Sequence, residues 1–394
     1  MADLVAMGSV ISNSLCGGGV VPFRPGRIDA IPNPNTGTGV PAPESDLDET
    51  LTFFERSGFD RTDAIAFTAC GHTMGSVHRG GFPNVVDASA ISPTNTNGGV
   101  NFDTTRGVFD NRVVQEYVDW TGQCGGPLVT TSNVTTQSDL RLYESDNNAT
   151  MQSLYAQGNS GFLNTCVKLF EKAINTVPSG VQLGDQITPL AIKPINVTFD
   201  LQNASLVLSG NIRILTPVNQ QPPASLTLRF ASKTLQVPAV IATGFSIFGN
   251  TTYFPFSVTG KDALTPSFTV SGPSISAQTF QLPTQAAVIP SMTTLTGSSL
   301  NATIAVLQGK CSDYSVSFAA PVVQPLTLAP KIVAATVTLQ SLYLGQSGWS
   351  GLQGGLCGGV VDLGNVPTGL VNVKVSKQGK VLDTLMVSGG NAGW

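Results

Sequence analysis

The sequence predicts a multidomain protein with two regions of different class. A mainly helical domain spans residues 1–180, and an all-β, sandwich-like region follows over 185–394. Three observations predict this. Apolar residues near the end of the first region recur at helical spacing, at Phe162, Cys166, Leu169, Phe170 and Ala173. The run Thr176-Val177-Pro178-Ser179-Gly180 then supplies the proline and glycine that stop helices. Beyond it apolar and polar residues alternate with period two, and β-branched residues dominate.

Residues 2–10 read as an amphipathic helix, followed by a glycine-rich stretch from Cys16 and the turn Pro22-Phe23-Arg24-Pro25-Gly26-Arg27. The helical stretch that starts at Ile65 runs into Cys70-Gly71-His72-Thr73 and on to His78. His72 and His78 are the chain's only histidines. Imidazole is the commonest metal ligand and acid–base side chain, so histidine chemistry is confined to this segment. The plainer reading is two half-buried, hydrogen-bonded side chains. Within 102–110, Asp103, Thr105 and Asp110 offer side-chain oxygens and Val108 a carbonyl. Ca²⁺ takes about six to eight such hard oxygens, although Asp and Thr also cap turns. In 136–142, Asp139 is a candidate hydrogen-bond partner for a ligand histidine or a helix N-cap.

Strands are predicted over 195–201, 205–215, 225–230 and 333–344, with a closing hairpin over 371–387 that turns around Lys377–Lys380. The length suits one large sandwich or two small ones. This half holds no histidine and few acids, so no catalytic constellation is visible in it. Tyr343, Trp349 and Trp394 are candidates for stacking on a glycan.

Charged residues make up 11% of the chain and the net charge is −4, with no basic patch to attract nucleic acid. No apolar run is long enough to span a bilayer, and no basic start with an apolar core follows Met1, so no signal peptide is read. Asn-x-Ser/Thr sequons occur at Asn133, Asn148, Asn196, Asn203, Asn250 and Asn301, and would be surface glycosylation sites in a secreted protein. None of the six cysteines forms a C-x-x-C pair. Cys311 could bridge Cys357 and Cys124 could bridge Cys166, while Cys70 reads as a small buried apolar side chain.

The segments around Pro22–Arg27, His72, Phe102–Asp110 and Ser138–Leu142, in that order, resemble the secreted fungal (class II) branch of the plant, fungal and bacterial haem peroxidases. The resemblance covers 1–180 and implies a mainly α haem-peroxidase fold entered at a mid-domain helix. It implies haem b, with His72 ligating iron through Nε2 and Asp139 holding its Nδ1–H. It places His78 at a haem propionate and Pro22 and Phe23 on the pocket wall. It implies Ca²⁺ held by Thr73, Asp103, Thr105, Val108 and Asp110. The implied reaction is reduction of H₂O₂ with one-electron oxidation of an organic donor, outside the cell.

The chain departs from the family in two ways. Family members carry a distal arginine and histidine upstream of the first helix seen here. The expectation is therefore a partial reading of a complete peroxidase gene, without normal turnover as written; a true remnant is the alternative. Cys16 matches a family cysteine whose partner lies upstream. The second departure concerns the donor. His78 stands where manganese-oxidising members carry an acid, and Phe67 where some lignin-oxidising members carry tryptophan. A small phenolic or other organic donor is expected. The rival reading is a non-catalytic secreted or wall-associated binding protein whose β region carries the function.

Overall fold

The structure, a computed structural model, describes residues 1–29, 40–202, 205–273, 275–324, 330–342 and 355–388, without the side chains of 241–243, 245 and 261. The chain divides into two units: Met1–Pro189 with Ser246–Phe248, and Leu190–Phe245 with Gly249–Trp394.

The first unit is helical. Its helices are α1 (Ala2–Leu15), α2 (Leu47–Arg56), α3 (Arg61–His72), α4 (Arg112–Asp119), α5 (Pro127–Thr130), α6 (Ser138–Glu144), α7 (Ala149–Ala156) and α8 (Gly158–Asn175). Asp46 caps α2 by accepting from the Glu49 N–H, and Asp60 caps α3 by accepting from the Asp63 N–H. Helix α3 runs through the middle of the core. Its Ala64, Ile65, Ala69 and Cys70 are fully buried among Val113 and Val114 of α4, Tyr143 of α6, Met151 of α7 and Phe162 of α8. The alanines let neighbouring helices approach closely, and the larger residues on α4, α7 and α8 fill the space between them. Beyond α3 a short antiparallel ribbon pairs β1 (Ser76–His78) with β2 (Gly99–Asn101).

Helix α1 buries Ala6 and Val10 in a separate cluster with Val21 and Phe23. The turn after it is held by Arg27, whose guanidinium meets Asp3 at 3.0 Å and donates to the Ile174 carbonyl.

The cysteine pairing differs from the expectation. Cys70 bonds Cys166, joining α3 to α8, while Cys16 and Cys124 are free thiols. Cys70 and Cys166 both face the core at zero exposure. Cys124 instead sits in the tight loop after α4 at φ 52°, its N–H bonded to the Thr121 carbonyl. Cys311 does bond Cys357.

Among the described residues the second unit forms four antiparallel sheets. The strands are β3 (Ile192–Gln202), β4 (Ser205–Thr216), β5 (Ser225–Arg229), β6 (Thr234–Pro238), β7 (Val240–Ser246), β8 (Gly249–Thr259), β9 (Ser267–Gly272) and β10 (Ile275–Gln281). They continue as β11 (Ala286–Val288), β12 (Thr294–Thr296), β13 (Ser299–Val306), β14 (Ser315–Val322), β15 (Lys331–Val337), β16 (Gln340–Leu342), β17 (Gly355–Asp362), β18 (Val371–Lys377) and β19 (Lys380–Val387). The sheet orders are β3-β4-β8-β7, β10-β9-β5-β6, β11-β13-β17-β16 with β12 on β13, and β15-β14-β18-β19.

The first two sheets share one core, with Leu208, Ile212 and Phe254 from one and Leu226, Leu228 and Phe268 from the other. The third sheet serves two cores. Ala287, Ile289 and Ala305 join that first core, while Val288, Leu300, Ile304 and Val306 pack against Val316, Phe318 and Val373 of the fourth sheet. Both faces of β13 are therefore covered, which explains its run Ala302-Thr303-Ile304-Ala305-Val306 in place of alternation. The arrangement is neither one sandwich nor two separate ones, because the middle sheet is common to both.

The hairpin around Lys377–Lys380 is present, with Gln378 and Gly379 both at positive φ, as a two-residue turn of this hand requires. The stretch 333–344, read as one strand, is two strands in different sheets, β15 and β16. The chain changes sheet at Thr338–Leu339, where a Cβ on Gly359 would collide with the Thr338 carbonyl. Only glycine allows that crossing. Tyr343, Trp349, Trp394 and the sequon at Asn203 lie outside the described residues; Asn196 and Asn301 are exposed.

Removing the α3–α8 bridge with Cys70→Ala/Cys166→Ala should lower the stability of the helical unit by about 2–5 kcal/mol, the usual cost of losing a native disulfide. Denaturant melts measure this. Non-reducing peptide mapping should recover Cys70 joined to Cys166, with Cys16 and Cys124 open to alkylation; a Cys124–Cys166 peptide would contradict the pairing.

Candidate functional site at the end of helix α3

His72 is the last residue of α3 and Thr73 is its C-cap. Asp139 lies in the first turn of α6 and is 3% exposed. Gln137, not Asp139, occupies the N-cap of that helix. Asp139 Oδ2 lies 2.6 Å from His72 Nδ1, and Oδ1 accepts from the Ser138 hydroxyl at 3.2 Å. A carboxylate only accepts, so Nδ1 carries the ring proton and Nε2 keeps its lone pair. Among the described residues Nε2 has no hydrogen-bond partner.

Phe102 fixes the plane of the imidazole. The two rings stack at 3.8 Å with 12° between them. Phe102 is 3% exposed and is boxed in by two glycines. A Cβ on Gly75 would sit 3.0 Å from the Phe102 ring, and one on Gly126 would reach 2.8 Å from the Phe102 Cα. Gly126 also adopts φ +101°, which few other residues tolerate.

A cavity of about 360 Å³ opens beside the pair. His72, Gly71, Asp139 and Ser138 meet apolar walls from Phe54, Phe67, Leu128, Leu142 and the segment Pro41-Ala42-Pro43. Arg141 ties that segment down, donating through Nη2 to the Pro43 carbonyl at 2.9 Å and the Ser45 carbonyl at 2.8 Å.

A second cluster sits immediately behind His72. Thr73 Oγ1 donates to the Asp110 carbonyl at 2.7 Å and stands 3.3 Å from Asp103 Oδ2. Thr105 Oγ1 reaches Asp103 Oδ1 at 3.2 Å and Asp110 Oδ1 at 3.0 Å. Burial pushes the Asp103 carboxyl up to about 6; the Thr105 N–H opposes this, and the neighbouring Asp110 charge adds to it. These spacings are those of hydrogen bonds from the Thr73 and Thr105 hydroxyls to the Asp103 and Asp110 oxygens. Among the described residues no group of three or more His, Cys, Asp or Glu side chains converges. The two carboxylates would therefore need the Thr73 and Thr105 hydroxyls and the Asp110 carbonyl to complete a sphere.

The structure thus brings together His72 with Asp139, and Thr73 with Asp103, Thr105 and Asp110. Val108 lies in the same loop, its N–H bonded to the Thr105 carbonyl and its side chain exposed. His78 is apart from the cavity lining: it is exposed on β1, with Nε2 3.0 Å from the Ser76 hydroxyl. Pro22 and Phe23 are also absent from that lining. Phe23 is buried instead in the α1 cluster, with the Arg27 guanidinium over its ring at 5.2 Å. Sequence reasoning missed Phe102, Gly126 and Arg141. Gly125-Gly126 before Pro127 was the one available signal, as a glycine pair marks a close backbone approach.

Comparison with known proteins bears on this site directly. Residues 1–158 match the peroxidase family model. A WSC domain-containing protein of Arthroderma benhamiae is 37% identical over 220 residues, covering 55% of this chain and 29% of its own. Cytosolic L-ascorbate peroxidase 2 of Arabidopsis thaliana is 34% identical over 78 residues, covering 20% of this chain and 30% of its own. Peroxisomal L-ascorbate peroxidase 5 of the same plant is 34% identical over 85 residues, covering 20% and 27%. The aligned part spans less than a third of each relative's length. These findings support the peroxidase superfamily, and a peroxidase-type function, for the helical region. The family suggests haem, and this side of the cavity fits one: an imidazole with its Nδ1 fixed and Nε2 unpartnered, beside apolar walls.

Gly126→Ala should destabilise the helical unit by more than about 1 kcal/mol, because alanine is strained at this φ and displaces Phe102. Urea melts check it, and an unchanged midpoint would show that the Phe102–His72 stack does not depend on Gly126.

Proposed function

We propose that the helical region binds haem b through His72 and reduces H₂O₂, coupled to one-electron oxidation of a small organic donor. The observation that carries this reading is the 2.6 Å contact between His72 Nδ1 and a buried Asp139 beside an apolar cavity. When bound, haem supplies the redox-active iron that such chemistry needs. The chain's residues supply the rest. Asp139 keeps the proton on Nδ1 and makes the imidazole a stronger donor at Nε2. Phe102 holds the ring plane. The walls formed by Phe54, Phe67 and Leu142 offer an apolar macrocycle a matching surface.

The proposal extends to a class II-like, secreted fungal setting. Disulfides such as Cys70–Cys166 and Cys311–Cys357 persist in oxidising compartments, and the exposed sequons at Asn196 and Asn301 are accessible to glycosylation. It extends also to a structural Ca²⁺ on Thr73, Asp103, Thr105 and Asp110, with the Val108 carbonyl as a further ligand. Such an ion offsets the repulsion between the buried Asp103 carboxyl and the half-buried Asp110 carboxyl and braces the residue next to His72.

Reconstitution with haem tests the reading. Wild-type protein should give the absorption spectrum of a histidine-ligated haem and His72→Ala should lose it; an unchanged spectrum in the variant would remove His72 as ligand. Asp139→Asn should retain haem, raise the iron reduction potential and lower haem affinity or activity about 10–100-fold. Oxidation of a phenol dependent on H₂O₂ tests the reaction itself, and its absence in haem-loaded protein would remove the catalytic part of the reading.

Chelation with EGTA should lower the temperature at which haem is released, before the helical unit melts, and Asp103→Asn should reproduce the effect. Elemental analysis should find one calcium per chain. Folded protein free of calcium, with haem retention unaffected by EGTA, would end the calcium proposal.

A further inference from the structure

The largest cavity described in the β unit lies where its first two sheets diverge, between the end of β4, the start of β3 and the edge strand β10. It measures about 550 Å³, within the range of roughly 300–1,000 Å³ usual for small-molecule sites. The loop after β4 forms its outer wall. From this cavity we propose a binding site for a neutral saccharide, distinct from anything assigned to the helical region and independent of it.

The lining chemistry selects this class of ligand. Among the described residues no charged side chain lines the cavity, so a charged ligand would lose hydration and gain no counter-charge. Thr216 is 6% exposed, and its hydroxyl is buried without a hydrogen-bond partner. The side chains of Gln220, Gln221 and Gln278 stand around the rim, and none of them makes a hydrogen bond within the described residues. An apolar ligand would leave the buried Thr216 hydroxyl unsatisfied and would use none of the exposed rim amides. Each glutamine amide both donates and accepts, as a sugar hydroxyl does, so one amide can pair with two neighbouring hydroxyls.

The remaining wall suits the C–H faces of a sugar ring. Pro217, Pro222, Pro223 and Pro273 present rigid apolar rings to the cavity. They lose little entropy on contact, since proline has almost no side-chain freedom to give up. Proline also lacks an N–H, so this part of the wall offers no backbone donors to an extended peptide. An open rim with unpaired amides, apolar proline rings and one buried hydroxyl together favour a neutral polyol.

Titration calorimetry on the full 394-residue chain tests the site. The probes are tetrasaccharides of glucose in β-1,3, β-1,4 and α-1,4 linkage, the β-1,4 tetramer of N-acetylglucosamine, a galacturonate tetramer and a proline-rich peptide. At least one neutral saccharide should bind with a Kd of about 1 mM or tighter. The exposed-rim variant Gln220→Leu/Gln278→Leu should weaken that binding about tenfold or more, the effect of losing a few modest hydrogen bonds. Thr216→Val should weaken it as well; if that variant melts early, the rim variant alone decides. The proposal is overturned if no neutral saccharide binds, if binding is the same in the rim variant, or if only the galacturonate or the peptide binds.

Discussion

Everything at the candidate site depends on how rigidly the last turn of α3 is held. It is fixed from three directions within four residues. Cys70 bonds covalently to α8, Asp139 of α6 accepts a hydrogen bond from His72 Nδ1–H, and Thr73 donates to the Asp110 carbonyl. These restraints differ in strength and in what they fix. The disulfide is worth about 2–5 kcal/mol and positions backbone. The charge-assisted hydrogen bond is worth about 1.5–3 kcal/mol and positions a ring. Neither replaces the other: a helix pinned at Cys70 still leaves χ1 and χ2 of His72 free to turn, and the contacts with Asp139 and Phe102 remove that freedom.

The polar parts of this arrangement were legible in the sequence and its covalent part was not. His72, Asp139, Thr73, Asp103, Thr105 and Asp110 were named through the resemblance to the haem peroxidases, and residue type agrees with it because ligand chemistry restricts which side chains can serve. Cysteine pairing has no such local rule, since six cysteines allow 15 complete connectivities. Cys70 and Cys166 are 96 residues apart, and only the packing of α3 on α8 brings them together. The placement of Phe23 likewise turns on packing. Its sequence position relative to Arg27 was read correctly as a turn, but burial against Val10 and Val21 decides where its ring goes.

The β unit shows a limit of periodicity. Strands with one covered face, such as β14 with Val316, Phe318 and Ala320 inward, alternate and are easily read. Strand β13 is covered on both faces, so its apolar run carries no record of which side chain enters which core. The stretch 333–344 is harder still. Its alternation continues through Thr338 although the chain leaves one sheet for another there, because both sheets demand the same period. The only sequence mark of the crossing is on a different strand, at Gly359, where a side chain would occupy the space the Thr338 carbonyl needs.

The electrostatics of the α3–α6 junction follow from helix geometry. His72 closes α3, where unpaired carbonyls leave partial negative charge, and Asp139 opens α6, where unpaired N–H groups leave partial positive charge. Each side chain therefore sits at the helix end that suits it: the carboxylate is welcomed by α6, and positive charge on or beyond the imidazole is welcomed by α3. A buried carboxylate with only a neutral ring beside it is costly. The α6 terminus and the Ser138 hydroxyl offset part of that cost, and a cation bonded at Nε2 would offset more through the polarised ring. The same logic applies two residues behind the helix, where Asp103 and Asp110 share the Thr105 hydroxyl. Each cluster therefore places negative charge beside His72 or its neighbour Thr73, and a positive centre at either one would offset the cost of burying that cluster.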